Sequence, residues 1–166
     1  MSQITFKGNP VNTNGSLPAV GSAAPDFSLV DTSLGTVSLT HFKGKKVVIN
    51  IFPSVDTGVC ALQLKTFSQK LADRDDVVLL FTSLDLPFAF GRFCGAEGIE
   101  NAVTASDFRE QSFAKNYGIQ MTDGPLAGLY ARATLVLDES HTVQHAELVP
   151  EIAQEPDYDA AIAALK

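Results

Sequence analysis

Cys60 and Cys94 are the two cysteines of the chain, and they are the residues best suited to carry chemistry. Cys60 follows a run of β-branched and aromatic residues, Val47 to Phe52, which predicts a buried strand that ends at Pro53. Apolar residues then recur from Cys60 at spacings of four, three and four, which predicts a helix beginning just before this cysteine. Unpaired N–H groups and the helix dipole favour negative charge there, so Cys60 is placed to react as a thiolate.

The polar turn before Cys60 contains a threonine three residues ahead of it. Thr57 or Asp56 is suited to cap the helix. First-turn geometry also brings the Thr57 hydroxyl near the sulfur, where it can donate to a thiolate and contact a bound oxygen. Simple capping is the alternative role for Thr57.

Cys94 lies in residues 85–98, where Pro87 suits an early helical position and three glycines weaken the predicted helix. Such a helix opens easily. The alternative is that both cysteines are ordinary core residues, since cysteine is among the most often buried types. A zinc site is disfavoured because neither cysteine has a partner at metal-ligand spacing. His141 and His145 fall in a predicted strand, where four residues span roughly 13 Å, so the two side chains are too far apart to bind one metal ion.

The order of the remaining elements predicts an α/β chain with a mixed central sheet flanked by helices and an N-terminal β-hairpin extension. This is the order of a thioredoxin-like fold. The length fits one domain, residues 1–166, which would bury about 70% of its unfolded surface. The other predicted strands are Gln3–Lys7 with a return through Val11, Phe27–Val30, Thr36–Leu39, Val77–Ser83, Ala102–Ala105, Ala133–Leu137 and Thr142–Leu148, and the other predicted helices are Arg109–Tyr117 and Asp157–Leu165.

Composition narrows the classes of partner. Hydrophobic residues make up 45% and charged residues 19%, as in ordinary globular proteins. The net charge of −7 disfavours nucleic acid and anionic membranes as partners. The first fifteen residues are polar and contain no hydrophobic segment, so we expect a cytoplasmic protein.

The arrangement P-x-x-x-T-x-x-C from Pro53 to Cys60, at the end of a buried strand, resembles the active-site motif of the peroxiredoxins. The resemblance extends over nearly the whole chain. The segments DLPFAFGRFCGAEG around Cys94, DGPLAGLYARATLVLD and EPDYDAAIAAL resemble the bacterial thiol peroxidase subgroup, the atypical two-cysteine peroxiredoxins.

The resemblance implies a role for five residues. Cys60 corresponds to the peroxidatic cysteine and Cys94 to the resolving cysteine. Thr57 corresponds to the motif threonine and Pro53 to the proline that shields the sulfur. Arg132 corresponds to the arginine that precedes a late strand in this family. Some members have an additional cysteine, which this chain lacks.

The activity implied by the resemblance is a thiol-dependent peroxidase acting on hydrogen peroxide and organic hydroperoxides. Cys60 would form a sulfenic acid, Cys94 would convert it to an intramolecular disulfide, and thioredoxin would reduce that disulfide. We expect a homodimer and neither metal nor cofactor. Six apolar residues are candidates for the substrate entrance, the core or the dimer interface: Phe88, Phe90, Phe93, Leu126, Leu129 and Tyr130.

Two other functions stay open from the sequence. A general dithiol-disulfide oxidoreductase on the same fold would carry C-x-x-C at the strand end, whereas Thr57 stands three residues before Cys60. A non-catalytic binding protein on a thioredoxin-like scaffold is the second, because fold alone does not imply function.

Overall fold

A mixed sheet forms the centre of the structure, a computed structural model that describes residues 2–165. Within those residues the sheet has seven strands in the order β4-β3-β7-β6-β5-β8-β9, and β1 and β2 form a separate hairpin. The predicted mixed sheet and N-terminal hairpin are therefore confirmed. The strands are β1 (Gln3–Phe6), β2 (Asn9–Asn12), β3 (Ser28–Asp31), β4 (Thr36–Ser38), β5 (Lys46–Ile51), β6 (Val77–Ser83), β7 (Val103–Ser106), β8 (Ala133–Leu137) and β9 (Val143–Leu148).

Helices cover both faces of the sheet, as predicted. They are α1 (Gly58–Lys70), α2 (Pro87–Glu97), α3 (Ser112–Tyr117) and α4 (Tyr158–Ala163). Buried side chains of α1, α2 and α4 share one hydrophobic cluster with the sheet, while those of α3 belong to a cluster on the other face. None of the helices in residues 2–165 combines the length and apolar character needed to cross a membrane.

Strand β5 lies near the middle of the sheet and positions the start of α1. It pairs in parallel with β6 and antiparallel with β8, and its side chains contribute to both hydrophobic clusters. A strand buried on both faces needs apolar residues at nearly every position, which explains the continuous apolar run. The side chain of Asn50 is the polar exception in the buried part of β5.

Helix α3 begins three residues later than predicted from Arg109. Gln111 occupies the left-handed region with φ of 51° and forms the N-cap, so the chain turns sharply just before the helix. The buried Asp107 carboxylate accepts hydrogen bonds from the backbone N–H groups of Ser112 and Phe113, both at 2.8 Å. The Asp107 side chain, four residues before the N-cap, thus pairs with two N–H groups of the first turn and fixes where the helix begins.

The N-terminal hairpin packs against the segments that follow α3 and β9. Thr5 N–H donates to the Pro150 carbonyl at 2.8 Å, and Ile152 N–H donates to the Thr5 carbonyl at 2.9 Å. Asn12 N–H donates to Asp123 at 2.9 Å. These bonds hold the end of β1 beside residues 150–153, which matters for the site below.

Candidate active site

The loop that joins β5 to α1 contains two of the predicted site residues, Pro53 and Thr57. Pro53 is buried and follows the end of β5, as predicted. Thr57 is the N-cap of α1 by backbone conformation, but its side chain makes no capping hydrogen bond to the helix. Its hydroxyl donates instead to the Ser54 carbonyl at 3.0 Å. The predicted hydrogen bond from Thr57 to the sulfur is therefore absent from this structure, because the hydroxyl donates to a carbonyl of its own turn.

Cys60 lies in the first turn of α1, where the spacing of apolar residues predicted it. Its side chain is fully buried, with 0% exposure, in the cluster that includes Leu64 and Phe67. The amino end of the helix supplies N–H dipoles that favour negative charge. The sulfur thus sits in an apolar environment with polar groups on one side.

Arg132 supplies the polar contact to the sulfur. It lies one residue before β8, and its Nη1 donates to Cys60 Sγ at 3.2 Å. Its Nε and Nη2 donate to the Ile152 carbonyl at 3.0 and 2.8 Å, and the side chain is 1% exposed. The carbonyl therefore aims the guanidinium at the sulfur. Strand β8 beside β5 brings residues 72 positions apart into contact.

The charge on Arg132 has no acidic partner in residues 2–165, where its contacts are a carbonyl, an amide oxygen and the sulfur. A buried charge is costly unless it is paired. Among the groups in contact with Arg132, the Cys60 thiol is the one that can become an anion. The guanidinium is therefore placed to stabilise negative charge on this sulfur.

Two buried amides extend this polar contact, and sequence reasoning missed both. Arg132 Nη1 donates to Gln63 Oε1 at 3.0 Å, and Gln63 Nε2 donates to Asn50 Oδ1 at 2.9 Å. The guanidinium can only donate, so it fixes which way the Gln63 amide faces. The sequence contains a feature that could have identified each of them. Gln63 is three residues after Cys60 on the same helix face, and Asn50 interrupts an apolar strand.

A pocket of about 290 Å³ opens beside this group. Arg132 and Thr57 both line it, so the guanidinium joins the pocket to the sulfur. Because Cys60 has no exposed surface, a substrate reaches the sulfur only when the lining residues move slightly. The lining residues come from the β1 end, the loop before α1, the first two residues of α1, residues 126–132 and the chain after β9: Phe6, Pro53, Ser54, Thr57, Gly58, Val59, Leu126, Leu129, Arg132, Ile152 and Ala153.

The six apolar candidates for the entrance divide into three groups. Leu126 and Leu129 line the pocket. Phe90 and Tyr130 are fully buried core residues, so they do not meet solvent. Phe93 packs partly buried against the α1 cluster, and Phe88 is 68% exposed. Sequence pattern alone could not separate these positions, because all six are apolar.

Cys94 lies in α2, half-buried, and both cysteines are free thiols. Burial raises the pKa of the Cys94 thiol, and a hydrogen bond with Thr104 offsets this in part. A raised pKa keeps this thiol protonated and weakly nucleophilic while α2 is folded.

Ion pairs connect α2 to the segment that contains Cys60. Arg92 contacts Asp56 in the loop before α1 at 2.6 Å, and Lys65 of α1 contacts Glu97 at 3.3 Å. All four side chains are well exposed, so each pair contributes at most about 1 kcal/mol. The buried Phe90 holds the first half of α2 in the core, and these ion pairs add only weak contacts to α1.

The Gln63 amide gives a stability prediction. We expect Gln63→Leu to lower the free energy of unfolding by about 1–3 kcal/mol, because Arg132 and Asn50 would each lose a buried partner. Urea denaturation of the reduced protein measures this. Gln69→Leu, at an exposed position of the same helix, is the matched control and should change stability by less than about 0.5 kcal/mol. Equal effects at the two positions would contradict the role given to Gln63.

Comparison with known proteins places this arrangement in a family. Residues 19–162 match the Redoxin family. The chain is 56% identical over 165 residues to the thiol peroxidase of Mycobacterium tuberculosis, covering 99% of each chain. Among solved structures, a peroxiredoxin-like protein from Aquifex aeolicus is 37% identical with a TM-score of 0.93, covering 98% of this chain and 95% of that one.

A thiol peroxidase from Chromobacterium violaceum superimposes with a TM-score of 0.90 at 24% identity, over 98% of this chain and 95% of that one, and supports the fold alone. These likenesses confirm the predicted thioredoxin-like class. That residues 1–166 form a single domain stays a prediction. The chain belongs to the Redoxin family and, within it, to the peroxiredoxin-type thiol peroxidases.

Proposed function

We propose that this chain reduces hydrogen peroxide and organic hydroperoxides with Cys60 as the peroxidatic cysteine, Cys94 as the resolving cysteine and thioredoxin as the reductant. The observation that carries the proposal is the buried contact between Arg132 and the Cys60 sulfur at 3.2 Å, beside an apolar pocket. A cation against a sulfur favours the thiolate, which is the reactive form.

The first step is attack of the Cys60 thiolate on one peroxide oxygen. A bond forms between sulfur and that oxygen, the O–O bond breaks, and the other oxygen leaves as an alcohol or water after it takes a proton. A more stable thiolate is also less nucleophilic, so ionisation alone is a weak source of rate. Donors aimed at the oxygens as charge develops supply the larger part.

Arg132 has one donor left for this purpose. A guanidinium carries five N–H bonds. Nη1 donates to Cys60 and Gln63, and Nε and one N–H of Nη2 donate to Ile152. The second N–H of Nη2 has no protein partner in residues 2–165, and Arg132 lines the pocket. We assign this N–H to a peroxide oxygen.

Thr57 and Pro53 act from the other side of the pocket. The Thr57 hydroxyl uses its hydrogen on Ser54, but its oxygen keeps lone pairs that can accept the O–H of a hydroperoxide. Pro53 has no N–H and shields the sulfur from water. The apolar wall formed by Phe6, Leu126 and Leu129 suits the organic part of an alkyl hydroperoxide.

The second step joins the Cys60 sulfenic acid to Cys94. The Cys94 sulfur attacks the Cys60 sulfur, a disulfide forms, and the hydroxyl leaves as water. A disulfide requires Cα atoms about 4.4–6.8 Å apart, whereas the two cysteines lie in separate folded helices. Local unwinding meets this demand, and it also exposes Cys94 and removes the burial that raises its pKa.

Reduction of the disulfide by the dithiol of thioredoxin returns both thiols. Peroxide consumption coupled to thioredoxin oxidation tests the whole proposal, with Cys60→Ser as the inactive control. Mass spectrometry after one equivalent of peroxide should find Cys60 crosslinked to Cys94. Disulfide reduction without any peroxide consumption would contradict the proposal, as would the absence of both reactions.

Arg132 provides the sharpest kinetic prediction. We expect Arg132→Met to slow peroxide reduction about 100-fold, the usual cost of removing a donor to a developing oxyanion. Alkylation of Cys60 by iodoacetamide should slow much less, because it breaks no O–O bond. Stopped-flow measurement of both rates makes the comparison.

Arg109→Met is the control, since Arg109 contacts the Phe108 ring and not the pocket. Both of its rates should equal those of the unchanged protein. Parallel losses in the two rates of Arg132→Met would contradict a role for Arg132 in breaking the O–O bond.

Helix α2 gives a paired prediction for disulfide formation. Gly95→Ala should stabilise the helix by about 0.5–1 kcal/mol and slow disulfide formation about two- to fivefold. The added Cβ would have no atom within 4 Å. Ala96→Gly, at the next exposed position, should accelerate the step by a similar factor. Rapid-quench mass spectrometry follows the disulfide, and changes of the same sign in both variants would contradict unwinding of α2.

A homodimer and a cytoplasmic location belong to the same proposal. Leu86, Phe88 and Phe108 are 50%, 68% and 38% exposed and follow the adjacent ends of the paired strands β6 and β7, with Phe88 in the first turn of α2. An exposed apolar patch of this kind favours association with a second copy. Sedimentation velocity should find a dimer that Phe88→Asp converts to monomer. Val20→Asp, beside β9, should leave it intact, and a monomer in the unchanged protein would refute the proposal.

A further inference from the structure

Asp85 is a carboxylate outside the residues assigned above that holds the loop before α1 in place. It follows β6 and lies two residues before α2. Its Oδ1 accepts the Ser54 hydroxyl at 2.8 Å, and its Oδ2 accepts the Val55 N–H at 2.8 Å. Oδ2 also accepts the Ser83 hydroxyl, and Ser83 in turn accepts the Asp85 N–H at 3.0 Å.

These bonds tie the loop to a rigid part of the sheet. Loops are mobile unless their backbone is fixed by neighbours. Ser83 is fully buried at the end of β6, so it anchors Asp85 firmly. Asp85 then anchors Ser54 and Val55, which come directly after Pro53. Hydrogen bonds to a charged acceptor are roughly twice as strong as neutral ones.

The anchored loop shapes one wall of the substrate pocket. Ser54 lines that pocket, and its carbonyl accepts both the hydroxyl and the N–H of Thr57, at 3.0 and 3.2 Å. The connection therefore runs from Asp85 through Ser54 to the residue that begins α1. Arg132 approaches the same pocket from β8, on a separate element. The wall formed by Ser54 and Thr57 keeps its position relative to Arg132 only if the loop is held.

We infer that Asp85 is a positioning residue for peroxide reduction: it fixes the loop so that Thr57 and Arg132 face one substrate, and it keeps the Cys60 sulfur closed to reagents that the pocket does not orient. This inference rests on the proposed function. It predicts responses of opposite sign in two reactions of the same sulfur. Both reactions require the buried sulfur to become accessible. Peroxide attack also requires Thr57 and Arg132 to be placed around the substrate, whereas alkylation does not.

The test uses the full-length reduced protein with Cys94→Ser, which leaves one thiol. Asp85→Asn keeps the size of the side chain but replaces one acceptor oxygen with an amide group. Oxidation by tert-butyl hydroperoxide should slow about tenfold, since small misplacements in a site cost up to about 100-fold. Alkylation by iodoacetamide should accelerate about threefold, because the loop opens more often.

Two further variants complete the design. Asp75→Asn, at an exposed position outside the pocket, should leave both rates unchanged. Ser54→Ala removes one bond to Asp85 and should move both rates in the same directions as Asp85→Asn but less. It also carries the test if Asp85→Asn does not fold.

The possible outcomes are distinct. Opposite changes in the two rates support the inference. Unchanged rates, or a fall in both with a lower melting temperature, would overturn it and leave the proposed function intact. No oxidation of the parent protein by hydroperoxide would overturn the proposed function, and the inference with it.

Discussion

Arg132 places a permanent positive charge 3.2 Å from the Cys60 sulfur, in a part of the structure that solvent does not reach. Electrostatic interactions are far stronger there than in water, and an unpaired charge is far more costly. The rest of the site follows from this constraint. The Ile152 carbonyl and the Gln63 amide accept three of the other four N–H groups without neutralising the charge, so the sulfur is left as the group that can balance it.

The same constraint explains why the site draws on distant parts of the chain. Helix α1 supplies the sulfur, the start of β8 supplies the guanidinium, and the chain after β9 supplies the carbonyl that aims it. The N-terminal hairpin holds that last segment and adds Phe6 to the pocket. The central sheet is the rigid frame that keeps these pieces in contact. Helix α2 is held in the core by Phe90, but its glycines and its exposed ion pairs to α1 make its later part the segment that unwinds in the proposed disulfide step.

Local pattern predicted much of this from sequence, and contacts between distant residues account for what it missed. The apolar run of β5 and the spacing after Cys60 depend only on neighbours in the chain, and both elements lie where they were expected. The start of α3 was misplaced because Asp107 caps it from outside the helix. The sequence predicts that the Thr57 hydroxyl faces the sulfur, whereas the turn places the Ser54 carbonyl where it accepts that hydroxyl instead. Arg132 was identified by resemblance alone, since nothing in its local sequence marks it as a partner of Cys60.

A double-mutant cycle between Cys60 and Arg132 tests this pairing most directly. The free energy of unfolding of the reduced protein would be measured for Cys60→Ser, Arg132→Met and the double variant. If the two side chains form a buried ion pair, the effects are not additive and the coupling free energy is favourable, on the order of 1–3 kcal/mol. Single effects that add to within about 0.5 kcal/mol would contradict the account.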